Sequence, residues 1–153
     1  MIKMNQRTEE KRKESKIEVQ TYLDRLKYAI QSDSVRPNFQ KKRKVDQNRD
    51  KKHTNRYTMA KLFPDEDESE VLKRELTLMT VDEYIETVKD TRFPKRSEMR
   101  VFGKRYSGEH VYMKIRSELV SIEHANGDSF ILIMSFHYSE WDFKDSDFLY
   151  KKV

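Results

Sequence analysis

Apolar residues are sparse along this chain, and the first group repeats with the period of a helix. Val19, Leu23, Leu26 and Ile30 are spaced four, three and four apart, so one helical face carries all of them and can cover a core. Ser32-Asp33-Ser34 ends the pattern, and Pro37 disfavours helical geometry at Arg36. A second helix is predicted to open at Pro64 and run to about Leu76. Asp65-Glu66-Asp67-Glu68 stand at its positive end and Lys73-Arg74 at its negative end. Thr80 and Glu83 make a capping box, and Val81, Tyr84, Ile85 and Val88 behind it read as the apolar face of a third helix, closed by Phe93-Pro94. Residues 1–16 are polar and are expected to be frayed or partly helical.

From Met99 onward the rhythm is that of strands. Met99 to Tyr106 is a candidate strand turning at Ser107-Gly108. His110 to Leu119 alternates cleanly, with Val111, Met113, Ile115 and Leu119 on one side and Tyr112, Lys114, Arg116 and Glu118 on the other. Asn126-Gly127-Asp128 is a turn signal, and Ser129 to Tyr138 reads as an apolar central strand. Helices followed by strands predict an α+β fold, with N-terminal helices packed on a C-terminal antiparallel sheet.

Composition narrows the class. Only 35% of the 153 residues are hydrophobic and 39% are charged, so the core is modest and polar extensions are expected around it. The predicted organisation is a charged N-terminus over 1–16, one domain over 17–138 and an acidic-aromatic tail over 139–153. Within the domain, residues 36–56 carry Lys41, Lys42, Arg43, Lys44 and five further Lys or Arg residues against Asp46 and Asp50 alone. Having little to bury, this stretch is expected to be a mobile basic loop, either a solvated linker or a grip on nucleic acid. The absence of cysteine excludes a disulfide framework and a thiolate nucleophile. No apolar run approaches a membrane span, so a soluble cytoplasmic protein is expected. Three glycines leave no phosphate loop, and no histidine or acidic spacing suggests a metal.

One stretch carries a more specific signal. Ser107-Gly108-Glu109-His110-Val111-Tyr112-Met113-Lys114-Ile115, followed by Met134-Ser135-Phe136-His137, resembles the paired strand motifs of the MqsR family of toxin ribonucleases. Leu78-Met79-Thr80-Val81-Asp82-Glu83-Tyr84 is similar to that family's entry into its middle helix. The resemblance covers roughly residues 20–138 and implies a RelE-like fold. It further implies mRNA cleavage without metal or other cofactor, and a cognate antitoxin that masks the site. Tyr112 and Lys114 match the strand motif, and His137 falls where the family has a functional lysine. The family's helical lysine corresponds to about Glu86, near Lys89, and its glutamine to about Met99, beside Glu98. Both are departures from the pattern.

The residues support that chemistry on their own terms. RNA cleaves itself when its 2′-hydroxyl is deprotonated and aligned with phosphorus, so a protein must supply a base, an acid and positive charge. Each acid–base role contributes about 10²–10⁴-fold. His137 titrates near neutral pH, Tyr112 offers a phenol, and Lys114 and Arg116 offer charge on the tyrosine's strand face. Arg100, Lys104 and Arg105 extend the expected nucleic-acid surface. His53, His110 and His124 fall in loop or turn surroundings and are assigned no role. Each candidate has a plainer reading: a structural histidine, a half-buried strand aromatic, a solvated sheet face. The readings are therefore an endoribonuclease acting on free or ribosome-bound mRNA, a non-catalytic nucleic-acid-binding protein, or a phage- or mobile-element regulator acting through protein contacts. The tail from Ser139 to Tyr150 packs its aromatics on the sheet, folds over the basic face, or anchors a partner.

Overall fold

The computed structural model describes residues 8–32, 35–39, 53–118 and 129–151. The chain runs β1 (Glu9–Arg12), α1 (Lys16–Gln31), β2 (Val35–Phe39), α2 (Asn55–Leu62), α3 (Glu68–Thr77), β3 (Tyr84–Asp90), β4 (Met99–Tyr106), β5 (Glu109–Glu118) and β6 (Ser129–Tyr138). The strands form one six-stranded sheet in the order β1-β3-β4-β5-β6-β2. The pairings from β1 through β6 are antiparallel, and β2 joins β6 in parallel. The fold is α+β, as expected, although both outer strands come from the N-terminal third.

Three local expectations are corrected. Residues 84–90 are a strand. The capping box of Thr80 and Glu83 is present, but it starts only a 3₁₀ turn over Val81–Glu83. The β-branched Ile85, Thr87 and Val88 favour the strand that follows, and a register shift between Tyr84 and Glu86 breaks its alternation. Residues 9–12, expected to fray, pair with β3, and Lys11–Glu86 (3.5 Å) and Arg12–Glu98 (2.6 Å) ion pairs fasten this charged edge. Of the basic segment 36–56, expected as a mobile loop, residues 36–39 lie in β2 and 55–56 in α2, while residues 40–52 lie outside the described residues.

The two sheet faces bury different things. Facing α1, α2 and α3, the strands contribute Tyr84, Phe102, Val111, Met113, Ile115, Phe136 and Tyr138 to a core completed by Val19, Leu23, Leu26, Ile30, Met59, Val71, Leu72 and Leu76. α1 is capped by Ser15, whose hydroxyl accepts from the Glu18 amide while the Glu18 carboxylate accepts from the Ser15 amide. α2 has a second task. β2 pairs with β6 only as far as Ile133. Beyond that, the Asn55 side-chain oxygen accepts from the Phe136 amide (2.9 Å) and the Thr58 hydroxyl from the Tyr138 amide (3.0 Å). Both side chains are fully buried, so the helix satisfies the strand edge that β2 leaves bare.

The opposite face carries a smaller cluster of Ile85, Val88, Met99 and Val101, against which Tyr112, Phe143 and Phe148 pack. Its cover is the C-terminal segment 139–150. The Ser139 amide donates to the His110 carbonyl (2.8 Å), and at the segment's end Tyr150 joins the helix-side core, its ring stacking on Tyr84 and its hydroxyl donating to the Glu14 carbonyl (2.5 Å). Of the three roles considered for the tail, packing on the sheet is the one observed. Among the described residues no helix is long and apolar enough to cross a membrane.

Candidate functional site

The register of β5 and β6 sets Tyr112 directly opposite His137. Their rings stack with centroids 5.4 Å apart and planes inclined by 24°. Lys114 lies two residues along β5 on the same face, opposite Ser135. The three side chains singled out from the sequence therefore share one side of the sheet. His137 is nevertheless only 4% exposed, beside a Tyr112 ring that Trp141 meets edge-on at 5.5 Å. Its Nδ1 stands 2.9 Å from the Tyr138 carbonyl oxygen. A carbonyl only accepts, so Nδ1 carries a proton. Lys114 is half-buried and paired with Glu9 at 2.9 Å.

The residues assigned to nucleic-acid binding scatter. Lys41, Lys42, Arg43 and Lys44 lie outside the described residues. Arg116 is partly buried on the Tyr112 face. Arg100 is a correction, because it faces the helices and not an open surface. Its Nε and Nη2 both donate to the Glu14 carboxylate at 3.0 Å, and its guanidinium lies 4.3 Å from the Tyr22 ring centroid. Glu14 is 3% exposed and also accepts from the Thr87 hydroxyl at 2.5 Å. Burial alone would raise this carboxyl, but the hydrogen bonds from Arg100 and Thr87 outweigh it and hold the carboxyl below its usual range. Arg100 is the counter-ion of a buried acid.

Lys104 and Arg105 do reach an opening. They line a cavity of about 470 Å³ together with Asp82, Glu83, His110, Phe143, Asp145, Phe148 and Lys151. Lys104 stands 3.8 Å from Glu83, whose carboxyl burial pushes up, and Lys151 pairs with Asp145 at 2.8 Å. Arg105 is exposed, with its Nε 2.9 Å from His110 Nε2. The Phe143 ring stacks on the His110 imidazole at 4.9 Å and 15°. That ring lies on Gly103, where a Cβ would meet its Cε2 at 2.5 Å, so the close approach requires glycine.

Sequence reasoning missed His110, Phe143 and Lys151. The alternation of β5 does put His110 on the Tyr112 face, but its surroundings depend on where the tail returns, and no local pattern encodes that. The two positions departing from the family pattern are structural here. Glu86 pairs with Lys11, Met99 is buried, and Glu98 is held low by the Arg12 hydrogen bond. Lys89 donates to the Arg96 carbonyl. Among the described residues no three His, Asp or Glu side chains are grouped as metal ligands. Comparison of the chain with protein-family models, curated proteins and solved structures finds no match.

Proposed function

We propose that this chain is a metal-independent endoribonuclease with a RelE-like fold, a toxin resembling the MqsR family that cleaves mRNA in the cytoplasm through 2′-hydroxyl attack. A cognate antitoxin protein is its expected partner. The observation that carries the reading is the stacked Tyr112–His137 pair with Lys114 on the same sheet face. His137 Nε2 is oriented as the base, the Tyr112 phenol as a proton donor, and the Lys114 ammonium as the phosphate's counter-charge once released from Glu9. Substrate access requires Trp141, which meets the Tyr112 ring edge-on, to move aside.

The test is cleavage of RNA by the purified chain in EDTA. Wild type cuts, His137→Ala loses at least about 100-fold, and Trp141→Ala cuts faster because the cover is weakened. Undiminished cutting by His137→Ala removes the histidine's role. A second reading, a non-catalytic RNA-binding protein, is favoured by the burial of His137 and the Glu9 partner of Lys114. It predicts salt-dependent RNA binding with no products after long incubation.

A further inference from the structure

Between β3 and β4 the chain turns through residues 91–98, of which 91–96 are all exposed. The turn is nevertheless held in shape. The Phe93 amide donates to the Asp90 carbonyl (3.2 Å), the Arg96 amide to the Phe93 carbonyl (3.0 Å), and the Lys89 ammonium to the Arg96 carbonyl. The Thr91 amide donates to the Thr8 carbonyl (2.9 Å), tying the turn to the start of β1. On this frame Phe93 stands 42% exposed. The Arg96 guanidinium lies over its ring, 3.8 Å from the centroid, with the Arg92 guanidinium at 5.8 Å. Arginine and ring thus form one stacked surface open to solvent.

The charges here are unequal. Lys89, Arg92, Lys95 and Arg96 stand against Asp90 and Glu98, four cations to two acids, and both acids are engaged. Arg92 donates twice to Asp90 at 3.1 Å, and Arg12 binds Glu98 at 2.6 Å. Glu9, opposite Asp90 on β1, is paired with Lys114. The Asp90 charge also reaches Arg96, but among the described residues neither Arg96 nor Lys95 has a carboxylate within 4.0 Å. Two cations are left facing solvent beside an exposed aromatic ring.

That combination fits a single strand of nucleic acid. An unpaired base offers its face to a ring or a guanidinium plane, whereas a duplex keeps its faces covered. Guanidinium N–H groups lie in the plane that stacks, so Arg96 can carry a base and meet a phosphate at its edge. A lipid surface fits less well, because membrane binding scales with buried apolar area and one phenylalanine supplies little. The turn also stands at the end of the sheet toward which Tyr112, Lys114 and Arg116 run in order, since Met99 directly after it pairs with Arg116.

We propose that this turn is a contact for single-stranded nucleic acid, one base stacking on Phe93 and Arg96 and the flanking phosphates facing Arg96 and Lys95. RNA and DNA share that chemistry. Only the choice of RNA rests on the function proposed above, and the contact stands without it.

The test follows labelled single-stranded RNA and DNA oligonucleotides by fluorescence anisotropy with the full chain, and the Phe93 ring resonances by NMR. Both strands are expected to bind and to move those resonances. Phe93→Ala is expected to weaken both at least about fivefold, the low end for a base stacked on an aromatic ring. It should leave an abasic strand of equal length and the thermal midpoint unaffected, and Phe93→Tyr should retain binding. Lys95→Gln with Arg96→Gln should reduce the salt slope by about 1.4, two phosphate contacts on a single strand. Ring resonances unmoved by either strand, or full affinity in Phe93→Ala, overturn the contact. Resonances moved by anionic lipid vesicles and by neither strand overturn it in favour of a lipid surface. DNA binding without RNA binding upholds the contact and removes the RNA source. Strand binding with no RNA cleavage in EDTA upholds the contact while the nuclease reading fails, and cleavage with an unmoved Phe93 ring does the reverse.

Discussion

Replacing Arg100 with methionine isolates the ion pair that holds the buried Glu14 carboxylate. The Glu14 carboxylate is 3% exposed and receives two hydrogen bonds of 3.0 Å from Arg100. Without them it keeps the Thr87 hydroxyl at 2.5 Å and Arg12 at 3.6 Å, so it is weakened in its support but not stripped of it. Breaking one side of a buried ion pair costs about 3–5 kcal/mol, and the surviving partners argue for the low end, about 3 kcal/mol. Loss of the contact with Tyr22 adds roughly 0.5–1 kcal/mol. For a domain whose total stability is about 5–15 kcal/mol, this is a large share. With a urea slope of about 2 kcal/mol/M, the midpoint falls by roughly 1.5–2 M. The double variant Glu14→Gln, Arg100→Met removes the stranded charge and is expected to recover more than half of the loss. Urea unfolding of the two variants and wild type, followed by circular dichroism, measures this directly. A single-variant cost below about 1 kcal/mol refutes the reasoning. So does weakened RNA binding in a variant of normal stability, which is what a nucleic-acid contact at Arg100 predicts.

Two further predictions follow from the same physics. Glu14 and Glu98 are held below their unfolded values, near 4.5, so the stability they contribute is complete above that pH and is lost as pH falls through their lower folded values. The urea midpoint should fall below about pH 4.3, and that fall should be shallower in Glu14→Gln. Asn55→Ala leaves the Phe136 amide buried without its acceptor and should cost about 1–3 kcal/mol. Hydrogen exchange at Phe136 should accelerate with it, and an exchange rate unchanged from wild type would show the edge is closed by other means.

What could be read from the sequence is what local periodicity encodes. Val19, Leu23, Leu26 and Ile30 are all buried, and the alternation of Val111, Met113 and Ile115 against Tyr112 and Lys114 sorted the two faces of β5. The Ser107-Gly108 turn, with positive φ at both residues, lies where the hairpin demanded it. Residues 84–90 misled because Val81, Tyr84, Ile85 and Val88 fit a helical stripe. The shift after Tyr84 lets a strand bury Ile85 and Val88 on one face at that same spacing. β1 has no apolar residue to announce it, since a charged edge strand is held by ion pairs. For the site, Tyr112 and Lys114 were visible together, but pairing with His137 required register, and its burial required the tail. Arg100 looked like a surface cation because its acid lies 86 residues away.

The placement of β1 and β2 at opposite margins of the sheet has a kinetic consequence. Strands β3 to β6 follow one another as neighbours, so they zip through short-range contacts, while β2 must find Ser129–Ile133 across all the intervening strands. Such distant pairings form late and slow assembly. During synthesis β1 therefore waits for β3, and β2 waits longer, until β6 has been made.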